Sequence, residues 1–169
     1  MGIENKTLGH PDTHHLLAAQ GWFELGNHLE ANKELDNISP ALRSHPGVLD
    51  VRWQIYAKVK QWEACVDIGE ALVKLAPGSP ESWLRRSVAF HGLRRFEEAA
   101  ELLLPAVDAF PKDWRIRYDL ACYACLLGNN EEAWNWLEQA FDLGGAKQVK
   151  LIALEDPDLE KFWVEIRET

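Results

Sequence analysis

The chain has 169 residues, 47% of them apolar and 27% charged, which is enough for a folded domain with a core and is not the composition of a disordered chain. Its formal net charge of −9 opposes binding to a phosphate backbone or an anionic membrane. No stretch approaches the roughly 20 apolar residues of a membrane helix, the start lacks an apolar run of signal-peptide length, and three cysteines cannot all pair. Together these point to a reducing compartment and predict a cytoplasmic protein with no nucleic-acid or membrane partner.

Residues 1–11 are polar and carry Gly9, His10 and Pro11, so they are expected to be disordered. From residue 12 the sequence repeats at a spacing of 34 without a gap, giving units 12–45, 46–79, 80–113 and 114–147. The twentieth place of each unit is small: Ala31, Cys65, Ala99 and Ala133. The eleventh holds Trp22, Tyr56, Phe90 and Ala124, and the twenty-seventh holds Ile38, Leu72, Ala106 and Ala140. Each unit reads as an apolar helix, a short break (Gly26-Asn27, Lys60-Gln61, Arg94-Arg95, Gly128-Asn129) and a second apolar helix. Prolines 46, 77, 80 and 111 lie at the joints, where they can stop one helix and start the next. A small twentieth residue allows two helices to approach closely. Pro40 falls where the second helix of the first unit should still run, which predicts an end or bend near Ser39.

These units resemble the tetratricopeptide repeat (TPR) family, whose 34-residue hairpin they reproduce. Repeats three and four carry the resemblance best, through Trp83, Phe90, Ala99, Ala106 and Pro111, then Leu120, Ala121, Gly128, Ala133 and Ala140. Repeat two departs from it with Trp53 at a small-residue place, and repeat one with His15 at the usual tryptophan place. The resemblance implies an all-α, right-handed α-solenoid of four TPR helix-turn-helix hairpins plus a C-terminal capping helix pair. First helices would line a concave face.

Residues 148–169 leave the repeat and form the expected cap. The spacing predicts a helix over Ala146–Leu154. Asp156-Pro157-Asp158 then reads as helix cap, first helical residue and favourable acid. Leu159, Phe162, Trp163 and Ile166 fall on one face at helical spacing.

The chemistry on offer is thin. Cys122 and Cys125 form a CxxC late in a helix, whereas redox versions place the first thiol at a helix N-terminus. With His91 they could converge on a metal, but a tetrahedral site needs a further ligand. Trp62, Trp134 and Trp136 read as packing or cap contacts. No phosphate loop, zinc-protease or nucleophile-elbow motif is present. The expectation is a protein without catalytic residues, metal or cofactor.

What remains is the groove that the resemblance implies. Leu84, Arg85, Val88, Arg115, Tyr118 and Leu126 take inward first-helix places and would contact a peptide segment of a partner protein. Glu81–Arg85 and Arg115–Asp119 stand four apart and could instead pair within their helices. The family's clamp for a chaperone tail needs a Lys, Asn, Asn, Lys, Arg set that neither frame of repeats supplies. The leading reading is a protein-binding scaffold, as a monomer or weak homodimer. The alternatives are a self-assembling homodimer and a metal- or thiol-dependent protein using Cys122, Cys125 and His91.

Overall fold

A computed structural model describes residues 7–168. It is helical, with no strand among the described residues. First helices begin at Asp12 (α1, Asp12–Glu24), Pro46 (α3, Pro46–Lys58), Pro80 (α5, Pro80–Gly92) and Trp114 (α8, Trp114–Leu126). Second helices begin at His28 (α2, His28–Asn37), Trp62 (α4, Trp62–Leu75), Phe96 (α6, Phe96–Leu103) and Asn130 (α9, Asn130–Gly144). Both sets recur every 34 residues, so the sequence period is the period of the hairpins. Contacts divide the chain into two compact units, Met1–Ala76 and Pro77–Thr169.

In the first unit Ala19, Ala31, Leu35, Ile38, Val48, Val51 and Ile55 form a buried core between α1, α2 and α3. Asp12 fastens its edge by accepting from the Ser39 backbone N–H (2.6 Å) and the Ser39 hydroxyl (3.0 Å). Helix α2 ends at Asn37, and a 3-10 turn follows over Pro40–Leu42, so Pro40 interrupts the helix where the sequence indicates. His15, in place of the usual tryptophan, bonds Glu34 Oε2 at 2.8 Å. Residues 1–6, the greater part of the stretch expected to be disordered, lie outside the described residues. Leu8 packs against the core, and its carbonyl accepts from the Thr13 hydroxyl.

In the second unit the small places are again buried: Ala99, Ala106, Ala133 and Ala140 are closed to solvent. Ser87, in the place that Trp53 takes one repeat earlier, donates to the Ala99 carbonyl (3.2 Å) and accepts from the Tyr123 hydroxyl (2.8 Å). Arg117 is buried, and its guanidinium reaches the carbonyls of Phe110 (2.9 Å), Asp113 (3.2 Å) and Val107 (3.1 Å).

The second helix of the third repeat is not continuous. Helix α6 stops at Leu103, Pro105 has no N–H to continue the ladder, and α7 resumes over Ala106–Ala109. The repeat pattern predicts a single helix here, and Pro105 corrects it.

The tail folds as α10 (Ala146–Ala153), a 3-10 segment over Pro157–Phe162, and α11 (Trp163–Glu168). Val149, Ala153, Leu159, Phe162 and Ile166 are buried, and Trp134 of α9 packs against the Phe162 ring at 5.7 Å. Gly144 permits the return of the tail, because a Cβ there would meet Trp114 and Val149 at 2.6 Å. Among the described residues no helix is long and apolar enough to cross a membrane.

Every hairpin turn puts one residue in the left-handed region: Gly26 (φ 78°), Lys60 (φ 60°), Arg94 (φ 61°) and Gly128 (φ 83°). A side chain in that region costs about 1 kcal/mol relative to glycine. Arg94→Gly is therefore expected to stabilise the protein by about 0.5–1 kcal/mol in urea unfolding, offset in part by glycine's larger unfolded-state entropy. A loss of stability in that variant would show that the Arg94 side chain contributes more than its backbone costs.

Candidate functional site

Helices α5 and α8 lie in the second unit and carry all six groove candidates. The structure leaves them unequally available. Leu84 and Tyr118 are buried, while Arg85, Val88, Arg115 and Leu126 are half-buried.

Arg115 is already held. Its Nε and Nη2 donate to the two carboxylate oxygens of Asp113 (3.0 and 2.6 Å), and Nη1 donates to Glu81 Oε1 (2.6 Å). Glu81 stands 34 residues earlier, at the matching place of the preceding repeat. The bond from the guanidinium holds the Asp113 carboxyl below the usual carboxylate range. Asp113 also caps α8, accepting from the Arg115 backbone N–H (3.1 Å). The sequence offered Asp119 as the partner of Arg115; Asp113 and Glu81 take that role instead.

Tyr118 meets the tail. Its hydroxyl donates to Asp156 Oδ2 at 2.8 Å, and the Cys122 thiol reaches the same oxygen at 3.7 Å. Asp156 Oδ1 accepts from the Asp158 backbone N–H (3.0 Å), which is the cap read from the sequence. Asp158 Oδ2 lies 2.8 Å from His91 Nε2, and since a carboxylate can only accept, the proton sits on that nitrogen. Sequence reasoning took Asp156 and Asp158 only as a helix start. It could not see that their other oxygens reach α5 and α8.

Around this contact the field is negative. Burial pushes the Asp119 carboxyl up to about 7, helped by Asp156, Asp113 and Asp158 and opposed by Arg115. Burial also pushes the Cys122 thiol well up, followed by Asp156, Asp119 and Asp158. Cys125 is raised by burial too. Both thiols are free and held protonated, the opposite of an activated redox pair. Of the three proposed metal ligands, His91 binds Asp158 and Cys122 binds Asp156. The group whose ligand atoms lie within 4.8 Å of one another is Cys122, Asp156 and Asp158, without Cys125. Hydrogen bonds within the chain already engage those atoms.

Asp119 makes stability depend on pH. Its folded pKa of about 7 lies above the ordinary carboxylate value near 4, so the folded state holds this proton more tightly than the unfolded one. The penalty is absent below about pH 4, grows as the pH rises, and is complete above about pH 7. Three units set an upper limit of about 4 kcal/mol, and solvent at the half-buried carboxyl reduces the expected effect to about 2 kcal/mol. Asp119→Asn should therefore stabilise the protein at pH 8 and leave it nearly unchanged at pH 4, as read by urea unfolding at both. An equal effect of the substitution at the two pH values would refute the assignment.

No family model and no curated relative matches the sequence. Solved structures do. MamA 41-end from Desulfovibrio magneticus RS-1 is 17% identical with a TM-score of 0.72, over 96% of each chain. Another MamA crystal structure is 14% identical with a TM-score of 0.73, over 95% of this chain and 90% of that one. A thermophilic TPR protein of Thermus thermophilus is 18% identical with a TM-score of 0.71, over 92% of this chain and 82% of that one. With its 34-residue hairpins and buried small residues, the chain has the tetratricopeptide-repeat fold: four helical hairpins followed by a C-terminal capping helix pair.

Proposed function

We propose that this chain is a non-enzymatic protein-binding module that holds a segment of a partner protein against the first helices α5 and α8. The observation that carries the reading is the acidic turn of the tail: Tyr118 and His91, side chains of those two helices, each hold a carboxylate of Asp156-Pro157-Asp158. Side chains of α5 and α8 on that face therefore hold a chain segment laid across them, and both of these donors are taken by the tail. A partner segment would lie beside the turn, over Arg85, Val88 and Leu126, with Leu84 and Tyr118 as the apolar floor. Apolar burial would supply most of the affinity, and arginine would set the register. Arg115, with two acidic partners already, contributes less than its place in the sequence indicates.

One short segment in an open groove binds at about micromolar strength. A partner captured with the full chain is titrated against Arg85→Ala and against Asp67→Ala, an exposed residue of α4. Arg85→Ala should weaken binding about ten- to a hundred-fold, the cost of a charge-assisted hydrogen bond. Equal affinity for wild type and Arg85→Ala would move the site off this face.

A second reading is self-association, favoured by the first hairpin, where Leu17, Leu25 and Leu29 are 62%, 78% and 77% exposed. Light scattering of the purified chain decides it, because a monomer at high concentration excludes it.

A further inference from the structure

A different surface of the second unit offers a site that does not depend on the groove. Helices α6, α8 and α9 border a half-open cavity of about 250 Å³. Its walls are apolar, with Leu104, Leu120, Leu127 and Trp136 in the lining. Ala100 and Ala124 in the lining leave it space that longer side chains would fill. Leu104 is 51% exposed at the lip. The volume falls below the roughly 300–1,000 Å³ of small-molecule sites, so it suits one anchoring side chain rather than a whole ligand.

The rim fixes the sign of the partner. Glu97, Glu101 and Glu132 border the cavity. Glu97 and Glu101 are one turn apart on α6, a like-charge spacing that costs a helix stability. Among the described residues neither makes an ion pair, whereas Glu98 on the same helix is paired with Arg95. Glu132 is tied to the wall, accepting from Trp136 Nε1 at 3.4 Å. The rim therefore carries three carboxylates and no cation among the described residues.

We propose that this cavity is a second docking site, for a protein segment that inserts one leucine-like side chain and flanks it with lysine or arginine. Opposite charge on both sides of a desolvated apolar anchor gives orientation and excludes acidic segments. None of the six groove residues lines this cavity, so the two surfaces are separate.

The test uses the full ¹⁵N-labelled chain and a synthetic ten-residue peptide with a single leucine between two pairs of lysines. Binding is followed through the Trp136 indole N–H resonance, assigned by Trp136→Phe. The expected result is a saturable shift of that resonance. Replacing the peptide leucine by serine should weaken binding about tenfold, and so should the exposed double substitution Glu97→Gln with Glu101→Gln. Arg85→Ala should leave it unchanged, which separates this site from the groove. The proposal is overturned if the Trp136 resonance does not move, if the serine peptide binds as well as the leucine peptide, or if the double variant binds like wild type.

Discussion

Truncation after Gly145 is expected to leave a chain that aggregates or melts without a cooperative transition. The removed segment buries Val149, Leu159, Phe162 and Ile166. At about 1.5–3 kcal/mol each, these give an upper estimate of roughly 6–12 kcal/mol. That is comparable to the whole stability of a domain, about 5–15 kcal/mol. The cut also exposes the faces of α8 and α9 that these side chains cover, and it strips the partners from Tyr118 and His91. A milder variant, Leu159→Ala, should cost about 2–5 kcal/mol while keeping the chain soluble. Calorimetry reads both. A truncated chain that melts as sharply and as hot as the full one would show that the tail is not part of the core.

The second large effect is expected at Arg117. Its guanidinium sits in the interior, makes no ion pair among the described residues, and is held by the carbonyls of Val107, Phe110 and Asp113 where the third repeat ends. Phe110 caps the end of α7 and Asp113 caps the start of α8, so the guanidinium ties together the joint between these helices. Removing the side chain leaves three acceptors to find water in a closed joint. Arg117→Ala should cost about 3 kcal/mol, which lowers the melting temperature by about 6–12 °C in a chain of this size. Arg117→Lys should rescue little, because an ammonium cannot spread donors across three carbonyls as the planar fork does. Wild-type stability in the lysine variant would mean that charge alone is what the joint needs.

Both effects concern residues whose importance the sequence states unevenly. Of Leu159, Phe162, Trp163 and Ile166, which announce themselves by helical spacing, Leu159, Phe162 and Ile166 are buried, while Trp163 is half-buried and donates its indole N–H to the Ala153 carbonyl. Arg117 looks like one more member of an arginine-rich stretch. Nothing in its neighbourhood distinguishes it from Arg115, which stands half-exposed between Asp113 and Glu81.

The sequence by itself determined the hairpins. A 34-residue period, a small residue at one place in every unit and prolines at the joints are local signals. Helix boundaries obey them because backbone geometry and the close approach of two helices act over a few residues. The interruption of α2 before Pro40 and the cap at Asp156 were legible for the same reason. Only the tertiary structure decided the partners. Asp156 and Asp158 reach Tyr118 and His91 across 38 and 67 residues of chain, and Arg115 passes over Asp119 for a glutamate one repeat away. Several acids stand within possible reach of each donor along the sequence. Which one arrives is fixed by how the tail packs on α8 and how α5 lies against α8, and that packing is set by many apolar contacts that no single spacing encodes.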